Sequence, residues 1–395
     1  MHYLCLVIAS CFFQVSALGA EPDNAGSSSR QKQPQIPKTI VLVIHGGSGV
    51  LTEQEMKTEG LVREDFEQVL ALALSAGYRM LKKKDGNSVD AVEAAVRVME
   101  DSELFNAGRG AAFNSDGRVE LDAAIMEGRM EGQGDGKKDP RKRAGAVAAV
   151  THIKNPISAA RAVMEMDGSR HVMLVGEGAE RFVLSEPNQR KFRIEAVSNL
   201  YFWTDRRLRQ IRGEFQRNTK DPSRGSVSVL QEAAGPSQAG GADRRFGTVG
   251  AVACYGCKFL AAGTSTGGLT DKLSGRVGDS PIIGGGTYAD DRACGVSCTG
   301  TGEVFIRHAV AHDVVARMLY GGISIGDAVQ ATIAGLPDED GGVGGLIGLD
   351  REGHHAFGMS KKSLGMYRGY ATKDGEFYVA VYANEREKRI ADPGR

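Results

Sequence analysis

The feature that most constrains this chain is a break in its pattern near the middle. From about residue 205 to residue 247, hydrophobic periodicity gives way to charged residues and then to the segment GPSQAGGADRR. A connection of that length is unusual inside a compact domain, where most loops are short. The apolar run VGAVA begins directly after the pair Gly247-Thr248. The fold must therefore combine two ordered parts across a linker, which we expect to be flexible over residues 205–247.

Strand and helix patterns occur on both sides of this linker. Strand-like runs come in groups with helical patterns collected between them, an order that favours an α/β (α+β) fold with antiparallel sheets over alternating βαβ units. In the first part we predict strands at Thr39–Ile44, Arg143–Val150 and Val172–Val175, and helices at Arg63–Lys82, Val89–Glu100 and Ala159–Met166. In the second part we predict strands at Val249–Ala253, Phe259–Thr264 and Glu376–Tyr382, a hairpin around Leu349–His355, and helices at Glu303–Leu319 and from Ile325, which Ser324 caps.

One glycine motif needs its own interpretation. The Gly-x-Gly in VGEGAERFV, Val175 to Val183, lacks the third glycine and the following acidic residue of a dinucleotide-binding loop. We interpret it as a turn.

The N-terminal segment MHYLCLVIASCFFQVSALGA has the apolar run and small-residue end of a secretory signal peptide. We therefore predict a signal peptide at residues 1–20, a disordered leader at residues 21–38, and an exported protein, periplasmic or secreted. A retained membrane anchor is the alternative. The formal net charge is zero and the sequence pI is about 7.1. Such a balance supplies no basic field for nucleic acid or anionic membranes, so neither is an expected partner once the signal is removed.

Four of the six cysteines follow the predicted signal peptide. Their spacing, Cys254-x-x-Cys257 and Cys294-x-x-x-Cys298, is compatible with zinc or redox chemistry, but neither pair has a nearby histidine. Buried core thiols or a disulfide are the favoured interpretations.

The Gly247-Thr248 junction has a chemical interpretation as well as a structural one. Threonine is common at the start of a strand, and that is the ordinary explanation. A threonine hydroxyl becomes a nucleophile, however, when a base accepts its proton, and the α-amino group of an N-terminal threonine is such a base, with a pKa near ~7.7 to 8.0. Thr248 would gain that amine only if the Gly247-Thr248 bond were cut.

Longer motifs decide between these interpretations. The segments AAGTSTGGLTDKLSGRVGDSPIIGGGTYADD and VSCTGTGEVFIRHAV follow the junction, and VIHGGSG, DSELFNAGRGAAFNSDGRVELDAAIMEG and IKNPISAARAVM precede it. Together they resemble the plant-type asparaginase and isoaspartyl peptidase family of N-terminal-nucleophile (Ntn) hydrolases. The resemblance covers nearly everything after Thr39 except the linker. It implies a four-layer αββα sandwich of the Ntn-hydrolase type with antiparallel central sheets.

The resemblance also implies maturation by self-cleavage. The Thr248 hydroxyl would attack the Gly247 carbonyl, and hydrolysis of the resulting ester would yield an α subunit, residues 39–247, and a β subunit, residues 248–395. The two subunits would form one folded domain. By resemblance, two such αβ heterodimers would pair into a dimer of heterodimers.

The matching positions imply roles for individual residues. Thr266 resembles the second threonine beside the nucleophile, Thr299 and Gly300 resemble the oxyanion hole, and Asn106 is a supporting match. A small-molecule substrate would be bound through its α-carboxylate by Arg276 and through its α-ammonium by Asp279, with the backbone of Gly300 and Gly302 nearby. These contacts describe both L-asparagine and β-aspartyl (isoaspartyl) dipeptides, and the sequence does not rank the two.

No cofactor is expected for catalysis, but a structural sodium ion is. The segment Met99 to Arg109 resembles the family's sodium loop, in which backbone carbonyls bind the ion. The implied ligands are the carbonyls of Met99, Glu100, Ser102, Phe105, Ala107 and Arg109.

Three alternatives remain open, and there are three departures from the family pattern, one of which is the long, arginine-rich linker before Thr248, which leaves trimming of the end of the α subunit open. A glycosylasparaginase-like or threonine-aspartase-like hydrolase would share the nucleophile but admit a glycosylated amide or a folded polypeptide. An uncleaved, inactive binding protein would keep the aspartyl site without the chemistry. The basic loop within Met126–Gly145 is longer than the family pattern, and CYGCK replaces the usual acidic hairpin turn.

Overall fold

The computed structural model describes residues 39–129, 142–166, 171–211, 247–337 and 344–394. The predicted signal peptide and leader, most of the linker and most of the basic loop lie outside the described residues. Among the residues that the structure describes, no helix has both the length and the apolar character needed to cross a membrane.

The elements are numbered in chain order. The strands are β1 (Ile40–His45), β2 (Leu121–Glu127), β3 (Ala144–Val150), β4 (Met173–Val175), β5 (Thr248–Tyr255), β6 (Phe259–Thr266), β7 (Thr287–Ala289), β8 (Cys294–Gly300), β9 (Gly344–Asp350), β10 (His355–Met359), β11 (Gly365–Thr372), β12 (Phe377–Tyr382) and β13 (Lys388–Ile390). The α-helices are α1 (Glu53–Glu59), α2 (Arg63–Lys82), α3 (Ser88–Glu100), α4 (Pro156–Met164), α5 (Gly176–Val183), α6 (Glu186–Phe192), α7 (Gly302–Arg307), α8 (Val310–Gly321) and α9 (Ile325–Ala334). Short 3-10 helices lie at Gly108–Gly110 and Asn199–Phe202.

Two sheets lie face to face at the centre of the fold. The larger has nine strands in the order β13-β12-β11-β1-β5-β6-β2-β3-β4, and the smaller has four in the order β10-β9-β8-β7. Neighbouring strands run antiparallel except β3 and β4, which are parallel. Helices α2, α3 and α4 cover the outer face of the larger sheet, and α8 and α9 cover that of the smaller. The predicted αββα sandwich with antiparallel central sheets is thus confirmed.

The core follows this layering. Large side chains, including Phe66, Leu70 and Val92, fill the space between the larger sheet and its helices. Between the two sheets the cluster includes Val252, Leu260 and several small residues. Small residues let the two backbones approach closely, so polar groups on both sheets come within hydrogen-bonding reach.

The linker joins two parts of one sheet. Strands β5 and β6, which follow the linker, lie between β1 and β2, which precede it. Main-chain hydrogen bonds therefore connect the segments on both sides of Gly247, so the two parts are held together by more than the linker.

Several sequence-based assignments are correct. Helix α2 has the predicted bounds, and α9 begins at Ile325 with the Ser324 hydroxyl accepting a hydrogen bond from the Asp327 amide. The predicted hairpin at Leu349–His355 joins β9 to β10.

Others are wrong for tertiary reasons. The single helix predicted at Glu303–Leu319 is two helices, because Ala309 adopts φ 46° and the first amides of α8 bond to the carbonyls of Gly284 and Gly285. The segment predicted as a turn forms α5, which buries Ala179 and Val183. Residues 205–211, which lie within the predicted linker range, are helical. Strand β13 follows the strand predicted to end the fold.

Candidate active site

The site is built on one cross-strand pair. Thr248, the first residue of β5, lies opposite Thr266, the last residue of β6, in the antiparallel register. The Thr248 Oγ1 donates a hydrogen bond to the Thr266 Oγ1 at 3.1 Å, and both residues are buried. The structure thus brings together the two predicted threonines.

Thr266 also touches the bond that would be cut. Its hydroxyl faces the Gly247 carbonyl oxygen at 3.4 Å and accepts a hydrogen bond from the Gly268 amide at 3.0 Å. The Thr266 hydroxyl therefore lies next to both the Thr248 hydroxyl and the Gly247 carbonyl oxygen.

The Gly247-Thr248 peptide has little free space around it. Gly47 has φ 104°, a conformation that favours glycine, and a Cβ added there would lie 2.8 Å from the Gly247 Cα and 2.9 Å from the Thr248 nitrogen. A Cβ added at Gly247 would lie 2.8 Å from the Asn106 Cβ. No role was predicted for Gly47. The paired glycines of VIHGGSG were the feature of the sequence that could have indicated this close contact.

Asn106 holds the site together through its side-chain amide. Its Nδ2 donates to the Gly268 carbonyl at 2.6 Å, and its Oδ1 accepts from the Ala112 amide at 2.8 Å. Its own carbonyl accepts from the Gly267 amide at 3.0 Å. In this structure the Asn106 amide therefore orients the turn after Thr266, and the oxyanion role implied by the resemblance stays a prediction.

Thr299 and Gly300 end strand β8 of the smaller sheet. The fully buried Thr299 hydroxyl accepts a hydrogen bond from the Ser48 amide at 3.4 Å, and Ser48 follows the glycine that contacts the Gly247-Thr248 peptide. The predicted oxyanion residues are thereby placed next to the turn that packs against Thr248.

Arg276, Asp279 and Gly302 form a second cluster. A Cβ added at Gly302 would lie 2.8 Å from the Arg276 Nη2 and 3.0 Å from the Asp279 nitrogen, so the three pack together without space for a side chain. Arg276 Nη1 lies towards Gly268, which bonds to Thr266. The predicted substrate-binding residues and the threonine pair are thus neighbours.

The buried Asp279 carboxylate is suited to accept a hydrogen bond from a cationic group. It is almost fully buried, and burial raises its pKa to about 6 despite its own backbone amide and the nearby Arg276. Its Oδ2 has no hydrogen-bond partner among the described residues. A buried acceptor without a partner is costly, and an ammonium group would supply both the partner and the charge.

A buried anchor that the sequence analysis missed supports this cluster. The Lys272 Nζ donates to the Glu120 carbonyl at 3.1 Å and lies 4.0 Å from Asp122, which is opposite Thr266 on β2. The Glu120 carboxylate accepts from the Ser274 hydroxyl and the Gly275 amide. Burial lowers the pKa of Lys272, whereas burial raises that of Asp122. The run TDKLSG contained the lysine, but only the fold shows that its charge is buried.

A second missed network crosses the interface between the sheets. His45 Nε2 lies 2.9 Å from the Ser297 Oγ, which lies 2.7 Å from the Thr264 Oγ1. The Thr287 Oγ1 lies 2.6 Å from the Thr264 Oγ1 and 3.0 Å from the Ser280 carbonyl oxygen. Burial lowers the pKa of His45 to about 3, so the imidazole is neutral at physiological pH. This chain of side chains connects β1 to the residue that follows Asp279.

The predicted sodium loop presents main-chain oxygens to its own interior. Gly108 has φ 52°, and a Cβ added there would collide with the Glu100 carbonyl oxygen, as one added at Gly110 would with that of Phe105. The Met99 carbonyl accepts a backbone hydrogen bond from Ser102 at 3.3 Å, and the Ala107 carbonyl accepts one from Gly110 at 3.2 Å. An all-oxygen donor set of this kind is compatible with a hard cation.

The four described cysteines are free thiols, with Cys257 exposed and the other three buried. The core-thiol interpretation therefore describes Cys254, Cys294 and Cys298, and none of the four forms the disulfide considered above. Within the described ranges, one group of possible metal ligands, Asp350, Glu352 and His354, lies at the β9–β10 hairpin.

The packing around Gly247 yields a prediction for Gly47→Ala. We expect this variant to remain uncut, or to be cut at least about tenfold more slowly, because a methyl group would displace the peptide and strain the backbone at a positive φ. Gly60→Ala is the matched control, since Gly60 also has a positive φ, 72°, but no atom within 4 Å of an added Cβ. Chain integrity is followed by denaturing gel and intact mass. Parental cleavage of Gly47→Ala would contradict the role of the tight contact.

Comparisons with known proteins agree with this arrangement. The sequence profile described as asparaginase matches residues 38–381. The chain is 42% identical over 333 residues to an isoaspartyl peptidase of Salmonella typhimurium, covering 84% of this chain and 95% of that protein. It is 40% identical to an isoaspartyl peptidase of Escherichia coli, covering 84% and 93%. It is 37% identical to a plant-type L-asparaginase of Pyrococcus abyssi, covering 82% and 94%. With its αββα sandwich and its paired threonines, this chain belongs to the asparaginase family.

Proposed function

We propose that this protein is an N-terminal-threonine amidohydrolase that matures by cleaving its own Gly247-Thr248 bond and then hydrolyses β-aspartyl dipeptides and L-asparagine. The single observation that carries the proposal is the Thr248–Thr266 hydroxyl pair at 3.1 Å beside the Gly247 carbonyl. The names of the related isoaspartyl peptidases and L-asparaginase support the substrate class.

In the maturation step the Thr248 Oγ attacks the Gly247 carbonyl carbon. The amide C–N bond breaks, an ester forms between Gly247 and the Thr248 Oγ, and the leaving nitrogen gains a proton to become the Thr248 α-amine. Water then hydrolyses the ester and restores the hydroxyl. Thr266 suits this reaction because its hydroxyl accepts from Thr248 and reaches the Gly247 oxygen.

In turnover the new α-amine acts as the base for the same hydroxyl. The Thr248 Oγ attacks the substrate's side-chain carbonyl carbon, a β-aspartyl ester forms on Thr248, and the amide C–N bond breaks. The leaving nitrogen takes the proton that the α-amine accepted from the hydroxyl and departs as ammonia or as an amino acid. Water then hydrolyses the ester, which releases L-aspartate and restores the hydroxyl. Arg276 would bind the α-carboxylate through its planar guanidinium, and Asp279 the α-ammonium. Because these two groups identify an aspartyl unit and not the leaving group, both substrate types fit.

Cleavage is tested by the intact masses of the parent and of Thr248→Ala. We expect two chains that meet between Gly247 and Thr248 in the parent, one uncut chain in the variant, and a loss of at least about 10³-fold in hydrolysis of a β-aspartyl dipeptide, because the variant lacks both nucleophile and base. Thr58→Ala is the control, since Thr58 is an exposed residue of α1 whose hydroxyl donates to the Gln54 carbonyl at 2.8 Å and has no part in the proposed reaction. A parent that stays whole and inactive would favour the uncleaved binding protein instead.

Asp279 yields a pH prediction. Because its pKa is raised to about 6, the carboxylate is lost as pH falls through about 6, and the substrate ammonium then loses its counter-charge. We expect KM to rise below pH 6 and to be flat above it, and Asp279→Asn to have a raised KM without this inflection. Asp291→Asn is the matched control, since burial also raises the pKa of Asp291 to about 6, but its carboxylate bonds to the Leu260 amide. An inflection retained in Asp279→Asn would refute the assignment.

We also propose that the Met99–Arg109 loop binds a sodium ion through the carbonyls of Met99, Glu100, Ser102, Phe105, Ala107 and Arg109. The ion, when bound, would supply positive charge that holds the loop in shape, and the loop carries Asn106. We expect the melting temperature to be a few degrees higher in sodium chloride than in choline chloride of equal ionic strength, because a ligand that binds only the folded state stabilises it. Equal melting temperatures in both salts would rule the site out.

Export of the protein and the pairing of αβ units remain predictions.

A further inference from the structure

The Arg276 guanidinium is already bound along one edge. Glu303, in the first turn of α7, accepts hydrogen bonds from the Arg276 Nε and Nη2, each at 2.9 Å. A guanidinium has two edges able to bind a carboxylate, Nε/Nη2 and Nη1/Nη2. The Glu303 carboxylate uses the first of these edges and leaves the second available.

The second edge lies on the side of the threonine pair. A Cβ added at Gly268 would lie 3.4 Å from the Arg276 Nη1, and one added at Gly278 would lie 2.9 Å from it. The Gly268 amide donates to the Thr266 hydroxyl, which bonds to Thr248. The available edge is therefore the one nearer to the nucleophile.

The orientation of Arg276 depends on Glu303. Gly268, Gly278 and Gly302 pack against the guanidinium and offer no side chain to hold it. Lys272, a neighbouring cation, donates to the Glu120 carbonyl. The Arg276 side chain is 12% exposed and that of Glu303 is 41% exposed, so the arginine is mostly buried and the glutamate lies nearer to the protein surface.

We propose that Glu303 is a positioning residue that fixes the Arg276 guanidinium so that its Nη1/Nη2 edge receives the substrate α-carboxylate. The inference rests on the proposed function, since it assigns the determinant of selectivity for that carboxylate. The opposite role is physically distinct: a Glu303 carboxylate that blocked Arg276 would compete with substrate and would have to leave. The two roles predict changes of KM in opposite directions.

The test uses Glu303→Gln in the mature protein, with chain masses and melting temperature confirming cleavage and folding. The amide keeps the shape but accepts only one of the two hydrogen bonds. We expect KM for a β-aspartyl dipeptide to rise about tenfold with kcat within about twofold, as the loss of one charged hydrogen bond that acts in binding would produce. Glu186→Gln is the matched control, because Glu186 also pairs with an arginine, at 2.7 Å, on an exposed helix.

A binding comparison separates positioning from a general structural defect. L-Aspartate carries the α-carboxylate, whereas β-alanine has the same skeleton without it. We expect the inhibition constant of L-aspartate to rise about tenfold in Glu303→Gln, the loss of one charged hydrogen bond, and that of β-alanine to stay unchanged. Glu303→Asp is the second variant for the case in which Glu303→Gln folds poorly. It keeps the negative charge on a shorter side chain, so we expect it to recover part of the loss in L-aspartate binding.

The outcomes are distinct. A parent that neither hydrolyses the dipeptide nor binds L-aspartate refutes the proposed function and this inference with it. An active parent with an unchanged or lowered KM in Glu303→Gln refutes positioning alone, and a lowered KM identifies Glu303 as a competing group. An equal weakening of L-aspartate and β-alanine would assign a structural role and also overturn the inference.

Discussion

The antiparallel pairing of β5 with β6 is the interaction on which the rest of this structure depends. Its register places Thr248 directly opposite Thr266, and a shift of one residue would place the two side chains on opposite faces of the sheet. The two strands also occupy the middle of the larger sheet, between β1 and β2. The segments before and after the linker are therefore joined by the same hydrogen bonds that align the reactive hydroxyls.

Close packing around this strand pair fixes the position of the Gly247-Thr248 peptide. Gly47 and Asn106 contact Gly247 from the segment before the linker, while Thr266 contacts it from the segment after. A buried network from His45 to Ser280 ties the two sheets together. A displacement of one sheet against the other would break the hydrogen bonds of this network, which favours a single arrangement of the two sheets. The preorganisation that Ntn chemistry requires is thus a property of sheet packing.

Charge around the site is distributed by burial. Asp279 and Asp122 are buried carboxylates with raised pKa values, and the buried Lys272 has a lowered one. The Glu303 carboxylate binds one edge of the Arg276 guanidinium and leaves the other edge available for an anionic group. The Asp279 Oδ2 is available for a cationic group. A zwitterionic aspartyl unit matches this pattern, whereas an uncharged amide lacks both complementary groups.

Local patterns predicted much of the fold. Helix α2 and the Ser324 cap follow from amphipathic spacing and capping chemistry, both of which act within a few residues. The errors arise where distant segments decide the outcome. The carbonyls of Gly284 and Gly285 determine where α8 begins, and burial of Ala179 and Val183 accompanies a helix where a glycine pair suggested a turn.

The sequence by itself determined the residue types of the candidate site: two threonines, an Arg-x-x-Asp pair and a glycine before the first threonine, all within ordered motifs of the asparaginase family. Only the tertiary structure decided that Gly47 packs against the Gly247-Thr248 peptide, that Lys272 is a buried anchor, and that Glu303 holds one edge of Arg276. The physical reason is the separation along the chain over which each effect acts. Residue chemistry and helix periodicity are local, whereas a 3 Å contact between residues far apart in the chain depends on how sheets and loops pack.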